Sequence, residues 1–130
     1  MKMEFQMNEN GFQAEFGYGT LVASAEEEHG FRPFQLLVSS LAVCSGTVLR
    51  KVLKKKRIAY DDITISADVK RNPDKADRVE AVHLHFAIKG KDLDDTKIKK
   101  SLEVAKKNCS MVQSVIDSIE ITETFEIESV

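Results

Sequence analysis

A chain of 130 residues is long enough for one domain with one core and too short for two ordinary ones. Its formal net charge of −2 gives no overall field toward nucleic acid or an anionic membrane, and it has no tryptophan to stack bases or sugars. The first residues, MKMEFQMNEN, lack the apolar segment of a signal peptide, and no unbroken apolar run approaches the roughly 18 residues of a membrane span. A soluble cytoplasmic protein of one domain, residues 1–130, is the expectation, with no nucleic acid and no membrane among its partners.

The first 25 residues read as a small β-meander. MKMEFQM alternates, placing Met3, Phe5 and Met7 on one face; NENG is a turn; FQAEFGYG alternates again, and TLVASA supplies a third short strand. EEEHG is expected to be an exposed, solvated loop.

Pro33 suits the first turn of a helix, where its missing N–H costs nothing. The helical pattern continues to Arg57, with Leu37, Leu41, Cys44 and Val48 on one face. A helix this long is expected to run through the middle of the domain, covered on most sides. Its last part, RKVLKKKR, holds six basic residues in eight. Cations at a helix C-terminus are favoured by its dipole and are usually solvated; binding of an acidic partner is the alternative.

Beyond the helix, Ile63, Ile65, Ala67 and Val69 alternate, RNPDKAD turns, and Val82, Leu84, Phe86 and Ile88 alternate back, which predicts an antiparallel hairpin. Asp94 or Asp95 is placed to cap an amphipathic helix over TKIKKSLEVAKKN, followed by Cys109, a short helical stretch SMVQSVID, and a last strand through Ile119, Ile121, Phe125 and Ile127. Clustered strands give an α+β class. Six apolar-faced strands need more cover than two helices supply, and a homodimer would provide it.

The two cysteines are the residues with the most reactive chemistry. Cys44 sits among Ser39, Ala42, Ser45 and Gly46; as a small hydrophobe it fills a core, and as a thiolate it is a nucleophile. Gly46 costs the helix about 1 kcal/mol relative to alanine, so close approach of another element is the expected reason for it. Cys109 stands at the expected N-terminus of the short helix, with Lys106 and Lys107 nearby. N–H groups there favour a thiolate, so this is a place where cysteine reactivity can be raised; an inert, half-buried Cys109 is the alternative. His29, His83 and His85 with the two cysteines lack structural zinc spacing, and His83 and His85 fall on the polar side of a strand. No metal and no cofactor is expected.

RPFQLLVSSLAVCSGTVLRKVLKKKRI, a hairpin, IKKSLEVAKKNCSMVQSVID and a final strand together resemble the OsmC/Ohr family of osmotically induced and organic hydroperoxide resistance proteins, across residues 32 to 127. The resemblance implies an α+β fold with antiparallel sheets and a long central helix, in an intertwined homodimer with sites at the subunit interface. It implies a thiol peroxidase in which Cys44 attacks an organic hydroperoxide to become a sulfenic acid. Cys109 then closes a disulfide, which a dithiol reductant opens. Arg32, Gln35 and Leu41, around the helix start, are the candidates for substrate contact. The chain departs from the peroxidase branches in one respect. They carry a carboxylate after the helix-starting proline and an N-terminal arginine paired with it, whereas Phe34 and Gln35 follow Pro33 and no arginine precedes Arg32. A mid-helix Cys44 without that pair is expected to have a high pKa, and a non-catalytic redox sensor or small-molecule binder is the alternative function.

Overall fold

The computed structural model describes residues 1–130 and separates into two compact units, Met1–Ser39 and Ser40–Val130. In the first, β1 (Gln6–Met7), β2 (Phe12–Glu15) and β3 (Thr20–Ala23) form an antiparallel meander in that order. The Asn8 amide donates to the Gly11 carbonyl at 2.9 Å, closing the NENG turn. A side chain at Gly11 would drive into the Ala23 carbonyl, so the backbone approach itself requires glycine there. The strands are shorter than the alternation suggests: only Gln6 and Met7 of the first run pair, and Met3, Phe5, Met7, Phe12 and Phe16 stay exposed. Phe5 and Phe16 meet edge to face at 6.4 Å. The acidic run is a single 3-10 turn, Glu27–His29, rather than a plain loop.

Helix α1 runs from Pro33 to Lys55. It ends where Arg57 takes a left-handed conformation (φ 59°) and the Ile58 amide turns back onto the Leu53 carbonyl at 2.9 Å. By length and composition alone α1 would pass for a membrane span, contrary to the sequence reading. Leu41, Ser45, Leu49 and Leu53, at i, i+4, i+8 and i+12, form its buried stripe in the second unit, which marks it as a helix packed on a core. The stripe shares Leu41 with the expected face and is otherwise rotated from it: Cys44 and Val48 are half-buried, and Val43 is 65% exposed. Within this chain the helix is therefore covered along one side, not most sides.

The second unit is built on a three-stranded sheet ordered β4 (Asp62–Asn72), β5 (Arg78–Gly90), β6 (Glu120–Ser129). β4 and β5 form the expected antiparallel hairpin, with a bulge at Lys70–Arg71. β6 runs parallel to β5, so the sheet is mixed and not wholly antiparallel. Parallel neighbours need a crossover, and α2 (Asp95–Asn108) with α3 (Ser110–Val115) provides it. The Asp94 side chain caps α2, accepting from the Thr96 amide at 2.9 Å and the Lys97 amide at 3.4 Å. The central strand carries the core: Val82, Leu84, Phe86 and Ile88 are fully buried, as are Ile98 of α2 and Val112 of α3.

The opposite face of that strand is polar. His83 spans the Thr122 and Thr124 hydroxyls at 2.6 and 2.9 Å, and His85 lies 2.7 Å from the Thr124 hydroxyl and 3.1 Å from a Glu126 carboxylate oxygen.

Candidate functional site

Two helices that are far apart in sequence bring the cysteines together. Cys44 lies on α1, half-buried, and Cys109 is the residue that joins α2 to α3. Its own amide finishes α2 on the Lys106 carbonyl at 3.4 Å, and its carbonyl starts α3 by accepting from the Gln113 amide at 2.9 Å. Both thiols are free. Cys109 is fully buried.

The first amides of a helix have no intrahelical acceptor. On α3 those of Ser110 and Met111 lie near enough to the Cys44 thiol to lower its pKa. The Ser110 hydroxyl lies 3.8 Å from the same sulfur. The Cys109 thiol meets it as well. Burial on its own would raise the Cys44 pKa, but the Met111 amide, the Cys109 thiol and the Ser110 hydroxyl and amide together outweigh it and bring the thiol below its ordinary 9.0.

Cys109 behaves in the opposite sense. Burial pushes its thiol above 9.0; the Ser45 hydroxyl, donating at 3.5 Å, opposes this, and the neighbouring Cys44 sulfur adds to it.

Of the two readings of Cys109 the buried, less reactive one fits, and the expectation of a high pKa at Cys44 is reversed. The helix N-terminus at α3 does favour a thiolate, but at Cys44 instead of at Cys109, the residue that precedes the helix. Cys44 is also not left with a high pKa: neutral donors supply what the missing arginine does not. Ser110 and Ser45 complete the site, and sequence reading noted only the small size of Ser45. The NCSM junction was the available signal, since a serine at the first position of a helix stands beside free amides.

Gly46 has the expected explanation. A Cβ there would lie 2.7 Å from Ile65 Cδ1, so glycine lets β4 approach the turn of α1 that carries Cys44.

Of the other candidates, Leu41 is fully buried in the core stripe and offers no surface to a ligand. Gln35 accepts from the Arg32 amide at 3.1 Å, which closes the first turn of α1, and the Arg32 guanidinium stacks on the Phe34 ring at 4.8 Å. In the basic run, Arg50 donates to the Tyr60 hydroxyl and Lys56 to the Ser101 hydroxyl, each at 3.2 Å. Glu26, Glu28 and His29 bring their donor atoms within 4.8 Å of one another on the exposed 3-10 turn.

A model of the OsmC-like protein family matches residues 25–124, a span that includes both cysteines and every helix residue around them. The chain belongs to the OsmC-like family. Protein YhfA of Escherichia coli K12 is 23% identical over 96 residues, covering 73% of this chain and 72% of its own. Among solved structures, a hypothetical protein from Aquifex aeolicus VF5 superposes with a TM-score of 0.89 at 23% identity, over 99% of this chain and 96% of that one. The organic hydroperoxide resistance protein OsmC from Legionella pneumophila does so at 0.75 with 18% identity, over 96% and 95%. The α+β architecture is that of OsmC-like proteins.

Proposed function

We propose that this OsmC-like chain is a thiol peroxidase that reduces organic hydroperoxides, with Cys44 as the nucleophile and Cys109 as the resolving thiol. The observation that carries the reading is the convergence of the two cysteines at the start of α3: the Cys44 sulfur lies 3.8 Å from the Ser110 hydroxyl, and Ser45, the next residue on α1, bonds the Cys109 sulfur at 3.5 Å. A thiolate is the attacking form, and lowering its pKa raises the fraction present at a given pH. The Cys44 thiolate attacks one oxygen of the hydroperoxide. The O–O bond breaks, the sulfur becomes a sulfenic acid, and the departing alkoxide takes a proton to leave as the alcohol. Cys109 then attacks the sulfenic sulfur, water leaves, and a disulfide forms. A dithiol returns both thiols. Under this reading the apolar side chains left exposed at Met3, Phe5, Phe12 and Val43 are covered by a second copy of the chain.

A non-catalytic redox sensor is the second reading, favoured by the composition of the donor set. Every group that lowers the Cys44 pKa is neutral, so none supplies a charge to the developing alkoxide. Steady-state turnover separates the two. With an organic hydroperoxide and a dithiol in excess, a peroxidase consumes peroxide for many cycles, and Cys44→Ser abolishes consumption. A sensor leaves peroxide consumption at the slow rate of the dithiol alone.

A further inference from the structure

Helical serines and threonines usually return their hydroxyl to the carbonyl four residues back. This chain follows the habit at Thr47, Ser101 and Ser114, each donating at 2.7 Å to Val43, Lys97 and Ser110 respectively. Ser45 does not. Its hydroxyl donates to Cys109 Sγ at 3.5 Å, across 64 residues of sequence. It is 1% exposed, so no water competes for it, and a hydroxyl has a single proton to give.

We infer that Ser45 is a positioning residue for the disulfide-forming step, holding Cys109 so that its S–H faces Cys44 and supporting the negative charge that Cys109 acquires when it attacks. The inference rests on the peroxidase reading for its place in the cycle and on the Ser45–Cys109 contact for its geometry.

The chemistry favours this assignment. A neutral thiol sulfur is a weak acceptor, and a thiolate is a strong one. The Ser45 bond therefore strengthens as the Cys109 proton leaves, which is when the step needs help. In that step the Cys109 proton is lost, its sulfur bonds to Cys44 Sγ, the S–O bond of the sulfenic acid breaks, and the proton joins the departing hydroxide as water. Burial works against the Cys109 thiolate, so a donor here has the larger effect. Ser45 also follows Cys44 on the same helical turn. One rigid element thus carries both the nucleophile and the donor that aims its partner, and Ser110 places a second hydroxyl on Cys44 from the opposing helix.

The test compares Ser45→Ala and Ser45→Thr with the wild type, after circular dichroism confirms each is folded. The first readout needs no hydroperoxide: the pH profile of Cys109 alkylation in a Cys44→Ser background, resolved by peptide mass. The second is the rate of Cys44–Cys109 disulfide closure after a single addition of cumene hydroperoxide. Ser45→Ala is expected to move the Cys109 profile to higher pH and to slow closure about tenfold or more, the scale of a lost hydrogen bond to a charged group. Ser45→Thr should restore the profile and the closure rate. A Cys109 profile that is the same in wild type and Ser45→Ala would overturn the inference. If the wild type consumes no hydroperoxide, the peroxidase reading fails, while the alkylation profile still decides what Ser45 does to Cys109.

Discussion

Replacing Gly46 with alanine sets two effects of similar size against each other. Alanine is favoured over glycine inside a helix by about 1 kcal/mol. Its Cβ, however, falls 2.7 Å from Ile65 Cδ1. Carbon atoms prefer about 3.5–4.0 Å, so the isoleucine methyl must withdraw by roughly 1 Å. Ile65 is half-buried on the edge strand β4, and turning it off its preferred rotamer costs about 0.5–1.5 kcal/mol. Gly46→Ala alone should therefore shift stability by less than about 1 kcal/mol. Ile65→Val removes Cδ1 and with it the collision. In that background Gly46→Ala should recover most of the helix gain, about 1 kcal/mol. Urea unfolding of the four proteins of this cycle gives the coupling directly, expected at about 0.5–1.5 kcal/mol in favour of the double variant. A coupling near zero would refute close approach of β4 as the reason for glycine.

The remaining predictions concern titration and the core. Alkylation of the reduced protein should modify Cys44 before Cys109, and Cys109→Ala should move the Cys44 profile to higher pH by removing a donor; peptide mass mapping across pH reads both. Burial raises the Glu123 pKa above its ordinary 4.5, with Lys106 only partly opposing it. The folded state thus holds that proton more tightly, and its contribution to stability is full below 4.5 and lost as pH rises through the folded pKa. Glu123→Gln, which cannot ionise, should stabilise the protein at neutral pH and flatten that part of the stability profile. Phe86→Ala, at a fully buried position on the central strand, should cost about 3–5 kcal/mol in chemical unfolding. Asp94→Ala removes the α2 cap and should cost about 1 kcal/mol.

The sequence makes the long helix, the hairpin and the α2 cap legible because each rests on local chemistry. Pro33 fixes a helix start, alternation fixes strand faces, and Asp94 stands before the first apolar turn of α2. The rotation of the α1 stripe is less legible. Ser45 and Gly46 are buried because the chain opposite them is Cys109 and Ile65, and a helical pattern scored by apolar residues cannot anticipate a serine and a glycine on the buried face. The parallel pairing of β6 with β5 depends on how α2 and α3 cross the sheet, not on alternation within β6. The two cysteines can be named from the sequence, but their roles under α3 depend on a contact spanning 66 residues, from Cys44 to Ser110. A residue that begins a helix aims its backbone along the axis. The free amides therefore served a sulfur arriving from elsewhere.

The most direct test of the account is the fate of the two thiols when the reduced protein meets one equivalent of an organic hydroperoxide, followed by thiol titration and mass spectrometry with Cys44→Ser and Cys109→Ser in parallel. The account predicts rapid loss of both thiols and a Cys44–Cys109 disulfide in the wild type, a sulfenic acid held on Cys44 in Cys109→Ser, and no fast phase in Cys44→Ser. Thiol loss that is slow, or equally fast without Cys44, would contradict it.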